Sequence, residues 1–329
     1  MEYRNLGRSG LKVSTLSYGS WITFGTQVDV NDAAEMMKIA YNAGVNFFDN
    51  AEAYAGGKSE IIMGKALKKL GWKRSDLVLS TKIFWGGKGP NDTGLSRKHI
   101  LEGTKAALER LQLDYVDLVF CHRPDYETPI EETVRAMSYL VDRGYAHYWG
   151  TSEWSAREIS KAYEAAERLH LVPPTMEQPE YNLLDRSRFE VEYKPLFDEY
   201  GLGTTTWSPL ASGVLSGKYG KGIEEGRLTL PGYEWLKDRY ETEDGKKRIK
   251  AVERLRPIAE ELGISLAQLS LAWVTKNPHV STVITGASKP AQVEQNMKAL
   301  DAAELLTPEI MARIDEAIGT KPEQPRNWR

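Results

Sequence analysis

Cysteine is almost missing from this chain: Cys121 is the only one in 329 residues. No intrachain disulfide can form, which fits a reducing compartment better than secretion. Cys121 itself reads as a small buried hydrophobe at the end of the apolar run Val116 to Cys121. No apolar leader is expected, because Met1-Glu2-Tyr3-Arg4-Asn5-Leu6-Gly7-Arg8 holds no apolar core of the roughly 7–15 residues a signal peptide needs. No stretch approaches the ~18 apolar residues of a membrane span. A cytoplasmic protein without membrane insertion is the expectation. Charge of one sign is absent as well: 43 Lys and Arg against 46 Asp and Glu leave −3, no basic footprint for nucleic acid. CxxC and HExxH spacings do not occur, and His99, His122, His147, His170 and His279 are too scattered for a metal site. Walker A, GxGxxG after the first strand, and the GxSxG nucleophile elbow are all lacking.

What is present is an average globular mixture, 41% hydrophobic and 27% charged. At roughly 150 residues per domain the length allows two domains, yet α/β barrels run past about 250 residues as one unit. No flexible linker or low-complexity tract divides the chain; only the charged segment Glu234 to Arg256 interrupts its rhythm. That rhythm is strand then helix. Leu16 to Tyr18 precedes Asp32 to Ala43, Val45 to Phe48 precedes Glu60 to Leu70, Leu77 to Ser80 precedes Arg97 to Leu111, and Tyr115 to Phe120 precedes Ile130 to Arg143. Tyr145 to Trp149 then leads to Ala156 to Arg168, and Thr175 to Gln178 to Arg188 to Tyr200. Gly203 to Thr206 leads to helices near Arg248 to Leu262 and Leu266 to Lys276, and Ser281 to Ile284 to Pro290 to Leu300.

Such alternation argues for βα units and a parallel sheet. Eight strands is the number that closes a barrel. The expected fold is a (β/α)8 TIM barrel, one domain over residues 1–329, with C-terminal closing helices. Tyr3 to Leu6 and Leu11 to Val13 flank Gly7-Arg8-Ser9-Gly10, an N-terminal β-hairpin pattern suited to plugging one barrel end.

Chemistry in such a barrel sits at the C-terminal ends of the strands. Strand two ends in Asp49, strand three in Lys82 and strand four in His122, and the loop after Asp49 adds Tyr54. A carboxylate, an ammonium, an imidazole and a phenol would therefore meet at one mouth. A free tyrosine titrates near 10 and donates protons poorly at neutral pH; a nearby Lys⁺ is expected to lower that value. Asp49 would hold Lys82 charged and oriented, and His122 would hydrogen-bond the oxygen that develops charge. Taken singly, Asp49 with Lys82 also reads as a structural ion pair and His122 as a hydrogen-bonded core residue.

Asp49-Asn50-Ala51-Glu52-Ala53-Tyr54 with Gly57 and Ser59-Glu60, Ser80-Thr81-Lys82, and His122-Arg123-Pro124-Asp125 together resemble the aldo-keto reductase superfamily. The resemblance runs from about Tyr3 to Leu300. Gly19-Ser20-Trp21-Ile22-Thr23-Phe24-Gly25, Trp207-Ser208-Pro209-Leu210-Ala211 and Ser216-Gly217-Lys218-Tyr219 are similar to the branch containing the voltage-gated potassium channel β-subunits. It implies NADPH-dependent reduction of aldehydes or ketones, with Tyr54 as proton donor, Lys82 and Asp49 as its modulators and His122 orienting the carbonyl. It also implies a nicotinamide carboxamide near Ser152 and Gln178, its ring stacked by Trp207, and a wall of Ser20, Trp21 and Gln27. Phosphates would lie along Ser208, Leu210, Ser212, Lys218 and Arg227, with Pro209 and Ala211 also binding the cofactor, and the adenosine end against Gly286, Ser288, Gln292, Gln295 and Asn296. Trp21, Tyr54, Trp85 and His122 would face a small, apolar or aromatic carbonyl substrate.

One part of this has support independent of the resemblance. Thr285-Gly286-Ala287-Ser288-Lys289-Pro290 joins a strand, small residues, a cation and a proline suited to a first helical turn, an arrangement that favours an anion. An ordinary turn with a Ser cap is the other reading of that segment. Lys218, Arg227 and Lys289 favour the 2′-phosphate of NADP over NAD.

Two positions depart from the family pattern. Glu153 stands where many members place Asn or Arg, so no carboxamide contact is expected there, and the place of His122 is commonly Asn in animal channel subunits. Keeping His122 leaves the tetrad whole. The alternative is an NADP-binding regulatory β-subunit of a potassium channel with slow or vestigial activity, and a homo-tetramer follows by analogy. A lyase or isomerase using Lys82 as a Schiff-base amine is disfavoured by Asp49, which keeps the amine protonated. Trp328 in the tail is given no role.

Overall fold

The computed structural model describes residues 1–224 and 226–326; Trp328 lies outside them. At its centre eight parallel strands close into a barrel. β1 (Tyr3–Asn5) and β2 (Lys12–Ser14) form the entry hairpin. The barrel strands are β3 (Leu16–Gly19), β4 (Phe47–Asp49), β5 (Val78–Ile83), β6 (Val116–Cys121), β7 (Ala146–Ser152), β8 (Met176–Gln178), β9 (Gly203–Thr206) and β10 (Thr282–Thr285). They neighbour one another in chain order, and the barrel shuts where β10 pairs with β3, Val283 opposite Leu16. Every residue of β5 and β6 is buried, as parallel strands covered on both faces require. The expected (β/α)8 barrel is the observed one.

Local sequence decides where the outer helices begin. Ser155 with Glu158 caps helix Ala156–Leu169 reciprocally, and Ser265 with Gln268 does the same for Leu266–Thr275. Each pair satisfies backbone N–H groups that a helix start leaves open. Proline corrects two expected helices. Arg188 to Tyr200 is a π turn, Arg188–Glu192, followed by helix Lys194–Tyr200 with Pro195 in its first turn. Arg248 to Leu262 is likewise divided into Glu243–Glu253 and Arg256–Glu261, with Pro257 opening the second. Proline has no N–H to give and fits only at such starts.

The stretch Pro290 to Leu300 is also two helices, Pro290–Met297 and Ala299–Leu305. Helix Glu234–Glu241 lies inside the charged segment and was not anticipated. A final helix, Pro308–Ile318, completes the C-terminal closure by burying Ile310, Ile314 and Ile318, one residue per turn. Among the described residues no helix is long and apolar enough to cross a membrane.

The hairpin strands pair antiparallel, Tyr3 opposite Ser14. Leu6 and Val13 are fully buried and cluster with Phe47, Val78, Leu118, Phe120, Met176 and Ile284. Phe48, Leu79 and Val119, their neighbours along the same strands, belong instead to the layer between strands and helices. Alternation along a strand therefore puts the hairpin cluster on the barrel axis. The hairpin plugs one end, and the Asp49 and His122 ends of β4 and β6 stand at the other.

Candidate active site

Asp49 is the last residue of β4, Lys82 the next to last of β5, and His122 directly follows β6. These strands are neighbours in the barrel, so three ionisable side chains reach one mouth. Tyr54 arrives on the turn Tyr54–Gly57, where Ala55, Gly56 and Gly57 hold φ of 50°, 61° and 86°. That left-handed stretch, tolerable mainly because of its glycines, bends the chain abruptly into helix Lys58–Leu70.

Lys82 is fully buried and spends all of its protons inside the site. Its Nζ donates to Asp49 Oδ2 at 2.6 Å, to the Asn50 carbonyl at 2.8 Å and to Tyr54 Oη at 2.9 Å. An ammonium has three N–H groups and no acceptor, so this is the geometry of a charged amine. Asp49 is held in turn by Ser80 Oγ at 2.8 Å and Gln178 Nε2 at 3.1 Å, both donating to Oδ1. Because Tyr54 Oη accepts from Lys82, its own hydrogen is left to point elsewhere.

Burial pushes the Tyr54 phenol well above its ordinary value; Asp49 adds to the rise, while Arg123 and Arg227 oppose it. This corrects the expectation that Lys82 lowers it. Asp49 neutralises Lys82 at 2.6 Å, so the pair offers the phenol little net charge against the cost of burying a phenolate. Tyr54 is therefore a protonated phenol at neutral pH. Burial pulls Lys82 down, and the Asp49 carboxylate pushes it back up. Burial, with the charges of Lys82 and Arg123, holds His122 well below the usual histidine range. His122 is thus a neutral imidazole with one N–H to give, and its buried Nδ1 has no hydrogen-bond partner among the described residues. The ring stands edge-on to Tyr54 at 5.8 Å and to Trp85 at 5.0 Å.

Aromatic rings wall the mouth. Trp21 lies 6.4 Å from Tyr54, 5.8 Å from Trp207 and 6.3 Å from Tyr233. Ser20 Oγ donates to the Asp49 carbonyl and Ser152 Oγ to that of Gln178. With Nε2 shared between Asp49 and Thr205, Gln178 keeps Oε1 as a spare acceptor. Gln27 is exposed and donates Nε2 to the Ile22 carbonyl.

Beyond Trp207 the chain holds positive φ at Ser208, Ala211, Ser212 and Gly213, with Pro209 and Leu210 between them. Such backbone turns N–H groups toward an anion. Arg227 donates Nη2 to the Trp21 carbonyl at 3.3 Å and lies over the Trp21 ring; a Cβ placed on Gly286 would sit 3.6 Å from that nitrogen. Lys218 packs on Tyr219 and against Gly213 and Gly226. Among the described residues neither cation has a carboxylate partner.

Helix Pro290–Met297 begins without a side-chain cap. Ser288 is not the cap the ordinary reading requires, since its N–H donates to Gln292 Oε1. Gln292 and Gln295 lie on that helix's exposed face and Asn296 on its buried one. Unpaired cations, left-handed backbone and an open helix start form a donor set that fits a ligand with several phosphates.

Three contributors were not read from the sequence. Glu153, at φ 59°, accepts from Trp207 Nε1 at 2.9 Å and from the Glu180 N–H at 2.6 Å, and its other oxygen pairs with Arg188. It fixes the Trp207 ring, which an acid directly after Ser152 could have signalled. Arg123, next to His122, donates Nη1 to the His122 carbonyl and Ser152 Oγ and lies 5.5 Å from the Trp85 ring. Tyr233 carries no local signal, because its place against Trp21 follows from the path of the long loop after β9.

The aldo/keto reductase family model matches residues 15–318. The chain is 57% identical over 331 aligned positions to a protein of Arabidopsis thaliana named "Probable voltage-gated potassium channel subunit beta", the match spanning all of both chains. A protein of Oryza sativa subsp. japonica with the same name is also 57% identical over the full length of both.

Proposed function

The chain belongs to the aldo/keto reductase family, and from that premise we propose that it reduces aldehydes and ketones to alcohols with NADPH, Tyr54 giving the proton. The observation that carries this reading is the Lys82 to Tyr54 hydrogen bond at 2.9 Å. It turns a protonated phenol outward, with a cation already beside the oxygen that will be left charged. Bound reduced nicotinamide supplies the hydride for the carbonyl carbon.

The remaining work falls to the chain itself. The His122 N–H donates to the carbonyl oxygen and Tyr54 Oη passes its proton to the same oxygen. Lys82, held by Asp49, then stabilises the phenolate until solvent reprotonates it. Arg227 and Lys218 hold cofactor phosphates, the backbone from Ser208 to Gly213 and the helix start at Pro290 supply N–H donors, and Trp207 packs on the nicotinamide side. Ser152 and Gln178 Oε1 serve the carboxamide, and Trp21 and Trp85 exclude water.

Tyr54→Phe keeps the ring and removes the proton. NADPH oxidation with a panel of aldehydes should fall by about 10²–10⁴-fold in kcat; wild-type turnover in this variant would overturn the mechanism.

A second reading, a β-subunit that docks on a potassium channel, takes its support from the names of the Arabidopsis and rice relatives; we add to it, by analogy, a tetramer that binds NADP and turns over slowly. Stoichiometric co-purification with a channel, together with turnover too slow for metabolism, would move the assignment there. Size-exclusion chromatography with light scattering tests the tetramer.

A further inference from the structure

Arg123 is a half-buried arginine beside the reacting groups that no carboxylate among the described residues pairs with. Its Nη1 is committed to the His122 carbonyl at 2.5 Å and to Ser152 Oγ at 3.4 Å. Nε and Nη2 donate to nothing among the described residues. Those two nitrogens form one edge of a planar fork, the edge that grips a carboxylate with two parallel hydrogen bonds. The contacts of Nη1 fix the plane of the guanidinium, and Trp85 lies 5.5 Å from it while also standing 5.0 Å from His122.

Trp85 is 43% exposed, unusual for so large an apolar ring. An indole face, an unpaired guanidinium edge and the carbonyl-activating groups therefore open on the same space. Arg123 also acts electrically on the reacting groups, holding His122 down and opposing the rise of the Tyr54 phenol. A structural arginine would be expected to spend its charge on one of the nearby acids. Asp125, two residues on, instead accepts from the Leu95 N–H and Thr128.

We propose that Arg123 binds an anionic group of the substrate, so that the preferred carbonyl compounds are aldehydes bearing a carboxylate on or beside an aromatic ring. The proposal rests on the reductase reading for turnover, but not for binding. In the bound state the carboxylate takes the Nε and Nη2 edge, the aromatic body lies on Trp85, and the carbonyl oxygen reaches His122 and Tyr54.

The test compares ortho-, meta- and para-formylbenzoate with the matching formylbenzamides, which keep size and lose charge. Wild type, Arg123→Met and Arg123→Lys are assayed by NADPH oxidation. A charge-assisted hydrogen bond contributes enough for the acid to be preferred roughly 10- to 100-fold in kcat/KM for at least one isomer. That ratio should collapse in Arg123→Met and return in part in Arg123→Lys, with the loss in KM rather than kcat. Calorimetric titration of the corresponding hydroxymethylbenzoates and hydroxymethylbenzamides, with NADP⁺ present and absent, reads the same discrimination without turnover.

If no aldehyde is reduced but the acids bind better than the amides and Arg123→Met abolishes the difference, the reductase reading fails and the anion site stands. If the amides are reduced as well as the acids and the ratio is unmoved in Arg123→Met, the anion site is refuted while the reductase reading survives.

Discussion

Replacing Asp49 by Asn tests the centre of the site through protein stability, independently of any substrate. Lys82 is fully buried and, among the described residues, Asp49 Oδ2 is its one carboxylate hydrogen-bond partner, 2.6 Å away. In Asp49→Asn the ammonium keeps two neutral acceptors, the Asn50 carbonyl and Tyr54 Oη, but loses its hydrogen-bonded counter-charge and keeps only the weaker pull of Glu60. Removing one member of a buried pair costs about 3–5 kcal/mol.

The cost has a ceiling, because Lys82 can shed its proton instead. Holding a lysine neutral against its ordinary value near 10.4 costs about 1.4 kcal/mol per pH unit, hence about 5 kcal/mol at pH 7 and about 1 kcal/mol at pH 9.5. The sign follows from linkage. Burial already lowers Lys82 in the folded protein, and without Asp49 it falls further. The folded state then binds fewer protons than the unfolded state, and stability rises with pH up to about 10.4.

Urea unfolding of wild type, Asp49→Asn, Lys82→Met and the double variant at both pH values reads this. Asp49→Asn should be several kcal/mol less stable than wild type at pH 7, and the gap should narrow markedly at pH 9.5. The double variant should lose less than the two singles together. A cost below about 1 kcal/mol at pH 7, or one that does not change with pH, would refute the account of a charged Lys82 held by Asp49.

Two further tests address other parts of the molecule. Burial pushes Glu177 up to about 8, so the folded state holds a proton that the unfolded chain releases above about 4.3, and this residue erodes stability as pH rises between those values. Glu177→Gln should therefore gain on wild type between pH 5 and pH 8 in urea midpoints, and a gap that stays constant would exclude a neutral Glu177. Arg227→Met should raise the KM for NADPH roughly 10- to 100-fold, the worth of one charge-assisted contact, and the KM for NADH less. Equal effects on both would remove Arg227 from the 2′-phosphate.

The barrel was legible because most of its buried strands are short runs rich in aliphatic, β-branched or aromatic residues, Met176–Gln178 being the exception, and the site because Asp49, Lys82 and His122 each end such a run. Helix limits were less legible where apolar period continues through a break. Arg188 to Tyr200 and Arg248 to Leu262 keep their pattern, and only Pro195 and Pro257 mark the interruptions. Helix Glu234–Glu241 was hidden by composition, burying only Leu236 and Tyr240 among charged neighbours. Within the site, what failed was what depends on the balance of several charges. Lys82 beside Tyr54 suggested a lowered phenol, but the direction is set by burial and by Asp49 acting on both. The grip of Glu153 on Trp207 spans 54 residues, and no local pattern reports a partner that distant.

The plug at the closed end also bears on how the molecule is made. Leu6 and Val13 are translated early, whereas Ile284, part of the cavity they fill, belongs to the last barrel strand. Arg4 is tied to the Val280 carbonyl across 276 residues. During synthesis the Leu6 and Val13 side chains therefore wait, incompletely covered, for most of the chain to leave the ribosome. Closure of β3 on β10 is a late, long-range event that no early half of the chain can rehearse. Until then β3 is an open edge, and the interval between its synthesis and that of β10 is when the nascent chain most needs shielding from other chains.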